Sequence, residues 1–125
     1  MLTPTSITLH ARSQLLEVAF DDGVTGQLPY EFLRVWSPSA EVRGHGAGQE
    51  VLQLGKRGVD IINAEPVGHY ALKLTFSDGH NSGLFSWDYL HRMCREHEAM
   101  WQDYMNRLHA SGYPGDTGRD KGTTA

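Results

Sequence analysis

The chain has 125 residues, 39% of them hydrophobic, with 11 basic against 15 acidic side chains and a net charge of −4. That length suits one domain with a core of its own, dependent on neither disulfides nor an obligatory metal. An acidic balance leaves no broad cationic face to neutralise a phosphate backbone, so nucleic acid is not expected as a partner.

The opening MLTPTSITLHARSQLLEVAF lacks a basic start followed by a long apolar run. No stretch approaches the ~20 apolar residues of a membrane span. The single cysteine, Cys94, has no internal partner for a disulfide, which fits a reducing compartment. A cytoplasmic protein without membrane contact is the expectation. Within this opening, Ile7, Leu9 and Ala11 alternate with polar neighbours, as do Leu16, Val18 and Phe20, and that period of two marks half-buried strands. Asp22-Gly23 then turns the chain, because glycine accepts the positive φ that a tight hairpin needs. A third strand, residues 24–28, leads to Pro29, which suits a first helical turn where its missing N–H costs nothing. Phe32, Leu33 and Trp36 give that short helix an apolar side, and Pro38 should stop it.

The stretch LRVWSPSAEVRGHGAG comes next, with small hydroxylated residues and then His45 between glycines. Arg43 and the glycines after it, with Lys56 and Arg57 beyond, would let backbone amides face a small anion. The segment matches neither phosphate-loop template, since it has no Gly-Lys-Ser/Thr ending and no strand–turn–helix setting. A loop shaped by its glycines is the plainer account.

Residues 59–64 read as a further strand, and the earlier grammar then returns. Tyr70, Leu72, Leu74 and Phe76 alternate, Asp78-Gly79 turns the chain, Leu84-Phe85 follows, and a helix begins near Ser86. LEVAFDDGVTGQLPYEFL and LKLTFSDGHNSGLFSWDYL match at Phe, Asp-Gly, Gly, an aromatic, an acid, an aromatic and Leu, with one extra residue after the second turn. The expected fold is therefore α+β: mainly antiparallel sheet from two strand-turn-strand-helix units, with one short and one long C-terminal helix. The long helix, residues 86–110, has Ser86 as N-cap and an apolar stripe of Trp87, Leu90, Cys94, Trp101, Met105 and Leu108. Residues 1–110 are expected to form the single domain. Residues 111–125, SGYPGDTGRDKGTTA, offer nothing to bury and are expected to be a disordered tail.

Among chemical candidates, His80 stands directly after the second turn where the first unit has Val24, and an imidazole there can ligate a metal or exchange a proton. His91, Cys94 and His97 form HxxCxxH, but 3.6 residues per turn spreads them over ~120° of helix surface, so one ion reaches two at most. A buried structural thiol is the plainer reading of Cys94. No GxSxG elbow marks a nucleophile, and the acid pair Asp21-Asp22 belongs to its turn.

On LRVWSPSAEVRGHG, PVGHYALKLTFSDGHNSGLFSWDYL and the GKRGVDI link between them, residues 6–94 resemble the N-terminal domain of gamma-butyrobetaine hydroxylase and its free-standing bacterial relatives of unassigned function. In the hydroxylase branch three cysteines and a distant histidine bind a structural zinc. The resemblance puts Ser37, Ser39 and Val42 at the cysteine positions and His80 at the histidine, with Pro38 kept. Zinc takes four ligands, commonly thiolate or imidazole, so no tight structural zinc is expected from serine hydroxyls and valine. His45 with His80 and a carboxylate such as Glu41 is the candidate set for a weaker divalent site. The hydroxylase's iron and 2-oxoglutarate chemistry belongs to a separate domain with a His-x-Asp/Glu pair, and none of the seven histidines here precedes such an acid. Similar domains also occur on ATPases that serve iron–sulfur cluster assembly, which implies an accessory role near metal cofactors. The resulting expectation is a non-catalytic binding module with Ser37, Ser39, Glu41, Arg43, His45 and His80 at its binding surface, facing a protein partner or a small anion. The alternative is a small enzyme, or a subunit of one, using His45 and His80 with Arg43 as anion clamp.

Overall fold

Alternation in LEVAF sends Leu16, Val18 and Phe20 to one face of a strand, and all three are buried. The computed structural model describes residues 2–44 and 50–112. Strands β1 (Pro4–His10), β2 (Leu15–Phe20) and β3 (Thr25–Pro29) form one antiparallel sheet in that order. Strands β4 (Ile61–Val67), β5 (Ala71–Phe76) and β6 (Leu84–Ser86) form a second. Helix α1 (Tyr30–Val35) follows the first sheet, and α3 (Trp87–Ser111) follows the second. The α+β class and the two units stand as the sequence implies, but the strands divide into two sheets of three.

The units agree down to single hydrogen bonds. Gly23 and Gly79 both take φ of 91°, the left-handed region that favours glycine. Across the two turns, the N–H of Phe20 donates to the carbonyl of Val24 and that of Phe76 to the carbonyl of His80, each at 2.9 Å. The N–H of Tyr30 donates to Gln14 (2.9 Å) and that of Trp87 to Tyr70 (3.0 Å), tying each helix start to the beginning of its middle strand. Both outer strands carry an irregularity at the matching place, between Pro4 and Ser6 and between Ile61 and Asn63.

Pro29 occupies the N-cap of α1, with the helical run beginning at Tyr30, and Pro38 follows its end. A four-residue helix, α2 (Ala40–Arg43), then stands where the sequence reads as loop. Four residues carry no apolar period, so this turn is invisible to a periodicity argument. Helix α3 opens as expected: the N–H of Tyr89 donates to Ser86 Oγ at 3.1 Å. Its end runs slightly past the expected limit, through Ser111 to Gly112 in the left-handed conformation. Residues 113–125, most of the expected tail, lie outside the described residues.

The buried stripe of α3 differs from the expected one. Leu90, Met93, Met100, Tyr104, Met105 and Leu108 point inward, with His97 half-buried between them, so Leu90, Met105 and Leu108 stand as expected while Trp87, Cys94 and Trp101 flank that face. Spacings of three and four define this face, and a break in helical geometry at Glu96 (φ −110°, ψ 16°) divides it. The first half of α3 joins a core shared by both units, including Leu16, Leu28, Phe32, Leu74 and Phe85. The second half packs Tyr104, Met105 and Leu108 on Val35, so the long helix holds α1 from beyond the sheets.

Candidate functional site

The aspartates of the two turns each use one oxygen locally and one across the molecule. Asp22 Oδ1 accepts from the N–H of Val24 (3.0 Å), and Asp78 Oδ1 from the N–H of His80 (3.2 Å). Asp78 Oδ2 then accepts from Arg34 Nε on α1 at 3.0 Å and from Lys56 Nζ at 2.6 Å. Asp22 Oδ2 instead lies 2.8 Å from His91 Nε2 on α3. Arg34 and His91 occupy matching positions in the two repeats, after Leu33 and Leu90. Each unit's turn therefore grips the other unit's helix, as a pair related by a twofold would. Because Arg95 Nε donates to His91 Nδ1 at 3.1 Å, the His91 proton sits on Nε2 and is donated to Asp22.

Burial pushes the Asp78 carboxyl up, but hydrogen bonds from Lys56 and the His80 N–H, with the charge of Arg34, outweigh it and bring the carboxyl to about 2. A depressed folded pKa contributes stability that is complete above the unfolded value and lost as pH falls through the folded one. The expected window is therefore pH 4 down to 2, with about 2 kcal/mol at stake. Urea denaturation across that range should show a steeper acid loss for the native chain than for Asp78→Asn; parallel profiles would remove Asp78 from the account.

The same reciprocity recurs three residues further on, just past the end of α1 and one turn along α3. A Cβ added to Gly83 would lie 2.2 Å from Ser37 Oγ, and one added to Gly26 would lie 2.6 Å from Cys94 Sγ. Ser37 and Cys94 are again matching repeat positions. His80, where the first unit has Val24, completes the arrangement on one side only: its Nε2 lies 2.9 Å from Ser37 Oγ. The N–H of Ser39 also donates to that hydroxyl, at 3.4 Å. Ser37, Ser39, Val42 and His80 are all buried. Ser39 Oγ is buried without a hydrogen-bond partner among the described residues.

This is where the zinc ligands implied by the resemblance would stand, and the donors do not fit that ion. Two are neutral hydroxyls, one is an alkyl side chain, and only the imidazole of His80 is a customary ligand. Of the weaker divalent set, His45 and the side chain of Glu41 lie outside the described residues. Among the described residues, no group of three or more His, Cys, Asp or Glu side chains is placed to hold a metal. HxxCxxH also disperses: His91 goes to Asp22, His97 packs against Phe32 with ring centroids 4.4 Å apart, and Cys94 lies over Gly26. Burial raises the Cys94 thiol to about 11 and holds His97 below the ordinary imidazole range, against the opposing charge of Glu98.

Arg43, by contrast, is exposed. It lies on an open cleft of about 470 Å³ that also has Trp36 and Ser37 on its wall, with Tyr89, Arg92 and Arg107 facing them from α3. Neither the cleft nor the Arg34–Asp78 clasp is apparent from residue types alone. The repeat alignment held a signal for the clasp, because it sets Arg34 opposite His91. None of the described helices is long and apolar enough to cross a membrane.

The paired hairpin units, exchanging turn-to-helix contacts around a shared core, define a small α+β domain. The chain belongs to the family described as gamma-butyrobetaine hydroxylase-like, N-terminal, whose model matches residues 7–91. Two proteins solved by solution NMR, 48% and 42% identical, each cover 90% of this chain, with 88% and 84% of their own chains covered and TM-scores of 0.77. A protein of unknown function in the DUF971 family from Acidithiobacillus ferrooxidans, solved by crystallography, is 40% identical over 74% of this chain and 92% of its own, with a TM-score of 0.62. No curated protein matches the chain.

Proposed function

We propose that this domain is a non-catalytic binding module in which the SPSAEVRGHG loop and the DGH turn build one partner-facing surface. The hydrogen bond between His80 Nε2 and Ser37 Oγ, 2.9 Å long and buried, carries this reading. It joins loop to turn with protein atoms at the place where the hydroxylase branch would use a metal. Ser37, Ser39 and His80 thereby shape the loop from within, and Arg43 offers an exposed charge beside them. Glu41 and His45 complete the proposed set. The occurrence of similar domains beside iron–sulfur assembly ATPases directs the search for a partner toward proteins that handle metal cofactors.

A serine hydroxyl against an imidazole is also the start of a nucleophilic dyad, which favours the enzyme reading with His80 as base and Arg43 as anion clamp. Ser37 is only 1% exposed, which keeps an incoming substrate from its Oγ and favours the binding role. Affinity capture from a cell extract separates the two, using the native chain and a His45→Ala/His80→Ala variant shown to be folded by circular dichroism. The expected result is a specific partner held by the native chain and lost by the variant. Equal capture by both overturns the module, as does stoichiometric, chelator-resistant zinc in the purified protein.

A further inference from the structure

The cleft beside Arg43 has a preorganised apolar floor. Trp36 Nε1–H donates to the carbonyl of Met100 at 3.1 Å, and the Tyr89 hydroxyl donates to the carbonyl of Trp36 at 2.6 Å. These bonds lock the end of α1 against α3 and hold the indole at the cleft wall. Its volume, about 470 Å³, is that of a site for a small ligand or a few residues of a peptide.

Three guanidiniums surround this floor, and they are not equally engaged. Arg107 donates to Glu50 at 3.3 Å and Asp103 at 3.2 Å, and its guanidinium stands 5.5 Å from the centroid of the Trp36 ring. Among the described residues Arg92 pairs with Glu96 alone, in a solvent-exposed i,i+4 contact 3.0 Å long of a kind that contributes little and is readily exchanged. Arg43 makes no ion pair with a carboxylate among the described residues. Glu50 and Asp103 also line the cleft and Glu96 stands beside Arg92, so the three guanidiniums meet three carboxylates, shared between Arg92 and Arg107, and Arg43 is left without one among the described residues. A single carboxylate matches the one guanidinium left without a partner, whereas a phosphate dianion would bring a second negative charge toward Glu50 and Asp103.

We infer that this cleft binds a carboxylate carried on an apolar body, an inference that rests on the binding-module reading and names its ligand chemistry. Arg43 and Arg92 take the carboxylate, since paired guanidinium donors match its two oxygens. Trp36 and Met100 receive the apolar body, which leaves water as it seats. A free organic acid and an acidic residue beside an apolar one in a partner polypeptide both present this chemistry.

The test is a titration of the full isotope-labelled chain, followed by NMR. The probes are 3-phenylpropionate, its uncharged amide, and a doubly blocked Phe-Glu dipeptide. The expected result is a saturable shift of the Trp36 indole N–H and of the backbone N–H groups of Arg43 and Arg92. The amide should bind at least about tenfold more weakly than the acid, and an Arg43→Gln/Arg92→Gln variant should lose about tenfold in affinity for the charged probes. Both arginines are exposed, so the variant's spectrum should otherwise be unchanged. Tighter binding of the dipeptide assigns the cleft to a polypeptide partner, and tighter binding of the free acid to a small metabolite. Equal affinity for acid and amide, full affinity in the variant, or no saturable shift from either charged probe overturns the inference. Such a failure leaves the module itself standing if the captured partner is still lost on changing His45 and His80.

Discussion

Replacing Arg34 with methionine should lower stability by about 3 kcal/mol, the low end of the cost of removing one partner from a buried ion pair. The Arg34 side chain is 8% exposed and donates through Nε to Asp78 and through Nη1 to Gln53 Oε1, each at 3.0 Å. Methionine fills much of the same volume but returns none of those hydrogen bonds. Asp78 would keep Lys56 and the His80 N–H, which is why the low end applies. The matching change His91→Gln should cost less, because Asp22 is 40% exposed and water can replace the lost donor. Urea denaturation of both variants gives the comparison. A loss below about 1 kcal/mol for Arg34→Met would mean that the cross-unit clasp does not hold the two units together. Arg34→Met/Asp78→Asn should recover part of the deficit, since it removes the carboxylate left short of a partner.

The clasp also marks the boundary between what residue order reveals and what it conceals. The two hairpins were legible because Gly23 and Gly79 answer a local requirement, a backbone angle that few other residues adopt. The N-cap at Ser86 was legible for the same reason: its hydroxyl satisfies an N–H three residues away. Division into two sheets depends on which strand edges meet, and residue alternation carries no record of that. The stripe on α3 was only partly legible, since Cys94 and Trp101 sit one step beside the face set by Met93 and Met100. At the candidate site, the resemblance placed Ser37 and His80 at ligand positions, but residue types alone do not show that they bond to each other. The cleft draws Trp36 from one helix and Arg92 and Arg107 from another, so no sequence spacing assembles it.

Gly83→Ala should destabilise the domain by about 2–3 kcal/mol through overpacking at residues 37–39. The added methyl would lie 2.2 Å from Ser37 Oγ, and 3.2 Å from both Pro38 Cδ and the backbone N of Ser39. The hydroxyl can rotate aside, but only by giving up His80, to which it lies at 2.9 Å. The proline ring and the backbone cannot rotate, so the link between α1 and α2 must move as well. Gly26→Ala meets Cys94 Sγ at 2.6 Å and Cβ at 3.1 Å, so turning the thiol aside is not enough and α3 must give as well, with an expected cost of the same order. Gly58→Ala meets nothing within 4 Å and serves as the control, with an expected change near zero. Ser37→Ala alone should cost about 1 kcal/mol by removing the buried hydrogen bond between Ser37 Oγ and His80 Nε2. In the Gly83→Ala background the same change should be favourable, because it removes the atom closest to the new methyl. That reversal of sign, read by thermal or urea denaturation, is the signature of direct contact between Gly83 and Ser37. Additive losses, or a Gly83→Ala protein as stable as Gly58→Ala, would show that the second unit does not press on the loop.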